Sequence, residues 1–272
     1  MLRASMLRVS MLRVSMLRVR YVALAFAIAV VLSGEARAEP LKVLTAGAFK
    51  QVLLAVIPQF EASGRKVKWE TGTAGNIINR IEAGESFDLV IASPAALTAL
   101  GKSGKLEGSI DLAKVGVGMA IREGAAKPDI GSVDAFKQVL LAAKGVAYVD
   151  PAAGGSSGIY VSGLIDRLGI GTEVRRKAVL VQGGAAADRV ASGEADIALQ
   201  QISEILPVKG AVLAGPLPSE IQNYTIYSAA IAAGSREKPS AQALIDLVRS
   251  SAGAAAIKST GMEPIDQNPP AK

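Results

Sequence analysis

Arg80-Ile81-Glu82-Ala83-Gly84-Glu85-Ser86-Phe87-Asp88-Leu89-Val90-Ile91-Ala92-Ser93 reads as the end of a helix, a stop, a short turn and a buried strand. Gly84 supplies the left-handed position that closes a helix. Asp88 opens the strand, and Leu89-Val90-Ile91 is the unbroken apolar run of a parallel strand covered on both faces. The same order of residues returns further on, as Arg189-Val190-Ala191-Ser192-Gly193-Glu194-Ala195-Asp196-Ile197-Ala198-Leu199. Two copies of one helix-to-strand unit are what two similar α/β lobes would write. They are also how αβ joints are written in general, and both readings stand at this point.

Working outward from the first copy, Leu41 to Thr45 alternates into a strand and Ala46-Gly47-Ala48 is a small-residue loop. Phe49, Leu53, Val56, Ile57 and Phe60 recur at helical spacing. Residues 66–71 alternate as a second strand, and Thr73-Ala74-Gly75-Asn76 leads into a helix with Ile77, Ile78 and Ile81 inward. Ser93 ends the third strand, and Pro94 suits the first turn of the next helix. Residues 115–121 predict an extended crossover, followed by a helix near 133–143 and a strand at 146–149. A Gly/Ser-rich loop, Asp150 to Gly158, precedes a helix over 159–168 that Gly169 closes. A strand is expected over 174–181. Gln182-Gly183-Gly184 then turns into the helix that ends at Gly193, and the strand after it ends in Gln200-Gln201. Residues 224–233 form a long apolar return crossover, and a helix over 241–250 follows.

The expected fold is therefore α/β, with two similar lobes of mainly parallel sheet joined by two crossover strands. The first lobe takes residues 39–119 plus 230–264 and the second takes 120–229, with a polar, Pro-rich tail at 265–272. In open parallel sheets ligands sit beyond the carboxyl ends of the strands. Two crossovers turn those ends toward each other across a cleft.

Composition narrows the chemistry. The 272-residue chain has neither Cys nor His. It offers no disulfide, thiol nucleophile, zinc cluster or imidazole base, so no metal or cofactor site is expected. The formal charge is +6, but six of the 30 basic residues and one of the 24 acidic ones lie in residues 1–38. The remainder has 24 basic and 23 acidic residues, a net +1, which is no nucleic-acid footprint. Met1 to Arg20 repeats Met-Leu-Arg-(Ala or Val)-Ser, and Tyr21 to Leu32 is an apolar run too short to span a membrane. Ala36-Arg37-Ala38 supplies the small-x-small cleavage pattern of a secretory signal. The expected mature start is Glu39 and the expected compartment a periplasm.

With these elements in order, the chain resembles the periplasmic solute-binding proteins of ABC importers with two-crossover (type II) topology, most closely the molybdate-binding branch. The residues that carry the resemblance are Leu41-Lys42-Val43-Leu44-Thr45-Ala46-Gly47-Ala48, Arg80 to Ser93, Asp150-Pro151 followed by Gly158-Ile159-Tyr160, and Tyr224. It covers about Leu41 to Pro264. It implies a monomeric binding protein that captures a small anion, molybdate or a like oxyanion, for an inner-membrane permease and does no chemistry on it. The chain departs from the family pattern at Ala48, where a Ser hydroxyl is usual, and at Thr73-Ala74-Gly75, where the second loop is usually Ser-rich. Gln200 or Gln201 stands where a Tyr follows the lobe-two strand.

Four loops are candidates for the cleft. Gly47-Ala48-Phe49 and Thr73-Ala74-Gly75-Asn76 belong to the first lobe; Gly155-Ser156-Ser157 and Gln182-Gly183 belong to the second. Each precedes a helix, whose N-terminal amides favour an anion without a cationic side chain. Ser93, Gln200, Gln201 and Tyr224 complete the set. Helix caps and tight turns are the plain alternative for any one of these loops. A small carboxylate is the rival ligand, since Asn76, Gln200 and Gln201 suit a planar group. A sensor presenting its closed form to a membrane receptor kinase is the rival role. Gly154-Gly155-Ser156-Ser157-Gly158 also matches the Gly-x-Ser-x-Gly nucleophile elbow, but a chain without His lacks the usual base.

Overall fold

The computed structural model describes residues 39–265. The expected signal peptide, its cleavage after Ala38 and the tail from residue 266 lie outside the described residues.

Strands β1 (Leu41–Ala46), β2 (Val67–Gly72) and β3 (Leu89–Ala92) run parallel in the order β2-β1-β3. Helices α1 (Lys50–Ala62), α2 (Ala74–Glu82) and α3 (Pro94–Gly101) make the connections. The unbroken apolar run of β3 has its reason in the two faces it covers. Leu89 and Ile91 join Phe49, Val52, Leu53 and Phe60 on one side. Val90 and Ala92 join Ile77, Ile81, Leu97 and Leu100 on the other.

A second parallel set consists of β5 (Val146–Val149), β6 (Ala178–Val181) and β7 (Ile197–Gln201), with β5 in the middle. Its helices are α4 (Val133–Ala142), α5 (Ser156–Arg167), α6 (Gly171–Arg176) and α7 (Ala187–Ser192). Val146 and Tyr148 face Phe136, Leu140 and Leu164, while Ala147 and Val149 face Ala187 and Val190.

The repeated motif does the same work in both sets. Arg80 Nε donates to Glu85 at 2.5 Å, and Arg189 Nη1 donates to Glu194 at 3.0 Å, each across the left-handed Gly that ends its helix. Both carboxylates are held below the usual glutamate range, chiefly by the Arg hydrogen bond. Asp88 Oδ2 accepts the Lys42 N–H at 2.8 Å, and Asp196 Oδ2 accepts the Lys144 N–H at 2.6 Å. Each Asp thus ties its own strand to the start of the neighbouring one. Identical bonding in both copies favours a duplicated lobe over a joint that is merely common.

The first crossover is longer than expected. Strand β4 (Leu106–Arg122) has 17 residues, of which residues 115–121 are only the later part. Its first half, from Leu106 to Gly116, pairs antiparallel with β9 (Tyr224–Ala232), which itself lies against β3. Exposed Glu107, Gly108 and Ser109, and register shifts on both sides of Ile110-Asp111, break the alternation that would have revealed it. From Val117 onward β4 pairs with β7, and from Gly118 with β8 (Ala211–Pro216) as well. Helices α8 (Ile202–Ile205), α9 (Lys238–Arg249) and α10 (Ser251–Ser259), with the two-residue β10 (Glu263–Pro264), complete the chain.

Two further expectations are corrected. Residues 174–181 are not one strand, because Val174 belongs to α6 and is buried there, and only Ala178 onward is extended. Ser156, Ser157 and Gly158 are already helical, as the first turn of α5.

Where β4 leaves β9, a side chain continues the ladder. Gln222 Oε1 accepts the Val117 N–H at 3.0 Å, and Gln222 Nε2 donates to the Val117 carbonyl at 3.0 Å. A Cβ on Gly116 would lie 3.2 Å from the Gln222 Cδ, so glycine lets the amide lie flat against the strand. Gln222→Ala removes both bonds, and the buried Val117 keeps only the Asn223 carbonyl at 3.3 Å for its N–H and the Leu217 N–H at 3.2 Å for its carbonyl. It is expected to lower stability by about 1 kcal/mol in urea denaturation. A midpoint equal to that of the parent would show that Gln222 contributes nothing to this crossing.

Candidate functional site: a cavity between two sheets

The loops beyond the carboxyl ends of β1, β2, β5, β6 and β7 enclose a cavity of about 580 Å³. Ten of the expected residues stand together in its wall, Gly47, Ala48, Thr73, Ala74 and Asn76 from one side and Gly155, Ser156, Ser157, Gln182 and Gly183 from the other. Gln201 joins them.

Glycines set the second wall. A Cβ on Gly155 would lie 2.8 Å from Val149 Cγ1, and one on Gly158 would lie 2.1 Å from the Val149 carbonyl oxygen. Both positions require glycine because α5 starts directly against β5. The left-handed Gly154 and the closely packed Gly158 are the two glycines of the Gly-x-Ser-x-Gly pattern, which leaves Ser156 and Ser157 at the cavity wall. No side chain caps α5.

The two sides also touch. Thr73 Oγ1 accepts the Asn76 N–H at 3.1 Å as the cap of α2 and donates across the cleft to the Ala153 carbonyl. The Gly75 N–H donates to the Gly154 carbonyl at 3.3 Å. Ser203 Oγ donates to the Ala48 carbonyl at 2.9 Å. A Cβ on Gly154, which has φ of 72°, would come within 2.7 Å of the Gly75 Cα. Only a pair of glycines allows this approach.

Five expected residues stand elsewhere. Phe49 is fully buried in the first core, facing Tyr227 with ring centroids 6.4 Å apart. Gly75 belongs to the contact across the cleft. Ser93 precedes α3 and lies outside the cavity wall. Gln200 is buried behind the wall, where its Oε1 accepts the Ala186 N–H at 2.7 Å and its Nε2 donates to the Gly184 carbonyl at 2.8 Å. It shapes the 182–184 loop from behind. Tyr224 is exposed outside the cavity wall, with Lys114 Nζ over its ring at 5.1 Å.

Sequence reasoning missed Lys50, Gln51, Asp188, Ser203, Glu204, Lys209 and Tyr227, all of which line the cavity. Lys50 and Gln51 sit just past the first loop, in the opening turn of α1, and were within reach of the loop argument. Ser203 and Glu204 lie on α8, whose four residues carry no period to read. Tyr227 was hidden in an apolar strand.

Glu204 and Tyr227 are the unusual members. Burial pushes the Glu204 carboxyl up to about 7, opposed only by the Gln200 side chain. Burial also holds the Tyr227 hydroxyl far above the ordinary tyrosine range, and the nearby Glu204 carboxylate raises it further, while Ser156 and Gln201 oppose both. Gln201 Nε2 donates to Thr225 Oγ1 at 2.8 Å, but its Oε1 is buried without a hydrogen-bond partner among the described residues. Among those residues, no cluster of His, Cys, Asp or Glu is arranged to hold a metal.

The Glu204 shift has a consequence for stability. An ordinary glutamate titrates at 4.5 and this one at about 7. Between those values the folded chain binds more protons than the unfolded chain, so stability falls as pH rises through that window. The cost is absent below it and complete above it. Glu204→Gln should therefore be more stable than the parent at about pH 8 by about 1–3 kcal/mol, and no more stable at about pH 4. Denaturation at the two pH values checks this, and an equal difference at both would contradict it.

Residues 41–263 match the family model of the bacterial extracellular solute-binding proteins. A protein named aconitate isomerase, from Pseudomonas sp, is 34% identical over 238 residues, which cover 84% of this chain and 89% of that one. The periplasmic molybdate-binding protein of Azotobacter vinelandii superposes with a TM-score of 0.67 at 20% identity, covering 84% of this chain and 100% of that one. The sulfate-binding protein SubI of Mycobacterium tuberculosis H37Rv reaches the same TM-score at 17% identity, with 84% and 88% covered. The two structures establish the fold, and they do not set molybdate apart from sulfate.

Proposed function

The chain belongs to the bacterial extracellular solute-binding proteins, and we propose that it closes its two lobes over a small organic polycarboxylate. The observation that carries this reading is the cavity itself. Its roughly 580 Å³ is far more than a tetrahedral oxyanion fills, and it lies in the ordinary range of small-molecule sites, about 300–1,000 Å³. Its polar side chains come from both sides of the cleft. Lys50, Gln51 and Asn76 stand on one side, and Ser156, Ser157, Gln182 and Lys209 on the other. Separated carboxylates match such a distribution, and the uncapped N-terminus of α5 adds backbone amides for one of them. The departures from the molybdate pattern at Ala48 and Thr73-Ala74-Gly75 point the same way.

In this reading the lobes meet where the crossing strands change partners, at Gly116–Val117 and just before Tyr224, a few residues from the boundaries expected at 119 and 229. The protein is a periplasmic monomer that starts at Glu39 and hands its ligand to an ABC permease. It does not engage nucleic acid. No helix among the described residues is long and apolar enough to cross a membrane. A thermal-shift screen against molybdate, sulfate, citrate and trans-aconitate tests the ligand class. A polycarboxylate at a hundredfold excess over its Kd should stabilise by about 2.7 kcal/mol, or about 5–10 °C in midpoint. A shift with molybdate or sulfate alone would overturn the proposal.

A second reading is that the bound acid is also isomerised. The 34% identity to a protein named aconitate isomerase favours it, as does a near-neutral carboxyl in the cavity wall. It competes directly with the expectation of a protein that leaves its ligand unchanged.

A further inference from the structure

We propose that Glu204 is a catalytic residue of that isomerisation, taking a proton from an allylic methylene of a bound unsaturated polycarboxylate and returning it to the other end of the allylic system. The inference rests on the second reading above. Its ground is the placement of Glu204 in the cavity wall, where its carboxylate reaches across to the first lobe. A Cβ on Gly47 would lie 2.7 Å from Glu204 Oε1, so the loop after β1 is glycine where the carboxylate passes. Glu204 forms no ion pair among the described residues, and it shares the wall with the Tyr227 hydroxyl, Ser156 and Gln201. The buried, unpartnered Gln201 Oε1 marks this as a polar place not completed by the protein.

The chemistry needs no cofactor. The Glu204 carboxylate takes the methylene proton, and the C–H pair becomes the new double bond to the central carbon. The old double-bond pair moves to the far carbon, and its charge spreads onto the attached carboxylate. Glu204 then gives the proton to that carbon and is again a carboxylate. Nothing is oxidised or reduced, and the new double bond can take the other geometry. A general base is most effective when it titrates near the working pH, which burial arranges here. The charged groups lining the same cavity are Lys50, Asp188 and Lys209, and none of them is among the causes of the Glu204 shift. Tyr227 stays protonated beside it and donates to the developing anion, as do the free amides of α5. The Thr73–Ala153 and Gly75–Gly154 contacts hold the two sides of the cavity together while this happens.

Proton NMR of trans-aconitate in deuterium oxide with the purified protein tests the assignment, alongside calorimetric titration of the same acid. The wild-type protein is expected to bind, to replace methylene protons by deuterium and to convert the acid to its isomer, with a rate that rises through about pH 7. Glu204→Gln should keep binding, since the amide matches the neutral carboxyl in shape, and should exchange at least about a hundredfold more slowly. Exchange that persists in Glu204→Gln overturns the role of Glu204. Wild-type binding without exchange overturns the catalytic proposal and leaves the binding protein standing. Neither binding nor exchange overturns both.

Discussion

Gly75→Leu is expected to weaken binding of trans-aconitate about a hundredfold while leaving the thermal midpoint of the free protein unchanged. Even a lone Cβ at this position would lie 3.0 Å from the Gly154 Cα and 3.1 Å from the Ala153 carbonyl oxygen, both backbone atoms that cannot turn aside. A leucine side chain adds three more carbons beyond that Cβ at the same contact. Those neighbours stand on the other side of the cleft, so the obstacle would vanish if the lobes part in the free protein, as the proposed closure over a ligand requires. Leucine in the first turn of α2 is also a better helix former than glycine, so the free protein loses nothing locally. Gly154→Ala is a less clean test. Its φ of 72° strains any Cβ in the open form too, and stability and affinity would fall together. Unchanged affinity in Gly75→Leu, with the fold intact by circular dichroism, would mean that ligand does not require this contact.

Gly158→Ala should act on the fold itself. The added Cβ would sit 2.1 Å from the Val149 carbonyl oxygen and 2.8 Å from its carbon, so either α5 or β5 has to move. Overpacking of this kind costs about 3 kcal/mol at the upper end of its usual range. In a chain of this size that is a fall of about 6–12 °C in midpoint. The shift would also displace Ser156 and Ser157 from the cavity wall, so affinity should drop with stability. Gly101→Ala is the control, since a Cβ there meets nothing within 4 Å. A midpoint for Gly158→Ala equal to that of the control would contradict the packing assigned to this glycine.

Much of this architecture was legible. The Arg-x4-Glu and Asp spacing of residues 80–88 and 189–196 encodes ion pairs and strand ties that recur in both lobes. The β3 run encodes a strand with two apolar faces. What was not legible has local causes. Register shifts erased the period of the first half of β4, and α8 is too short to have one. The site was half legible for a similar reason. Loop glycines and serines announce themselves, whereas Glu204 and Tyr227 matter through burial, which no spacing records. Gln200 and Gln201 show the limit well, being adjacent amides of which one faces the cavity and the other supports the loop behind it. Strand alternation says that they differ, but not which one turns inward.

The central claim is that a polycarboxylate lies in this cavity with the lobes closed over it. A crystal structure of the protein grown with trans-aconitate tests that most directly. The account predicts the acid between the Thr73–Asn76 turn and the Ser156–Ser157 end of α5, with one carboxylate on the α5 amides and its carbon chain against Glu204. An empty, open cleft, or an acid bound anywhere else while calorimetry shows a saturated site, would contradict it.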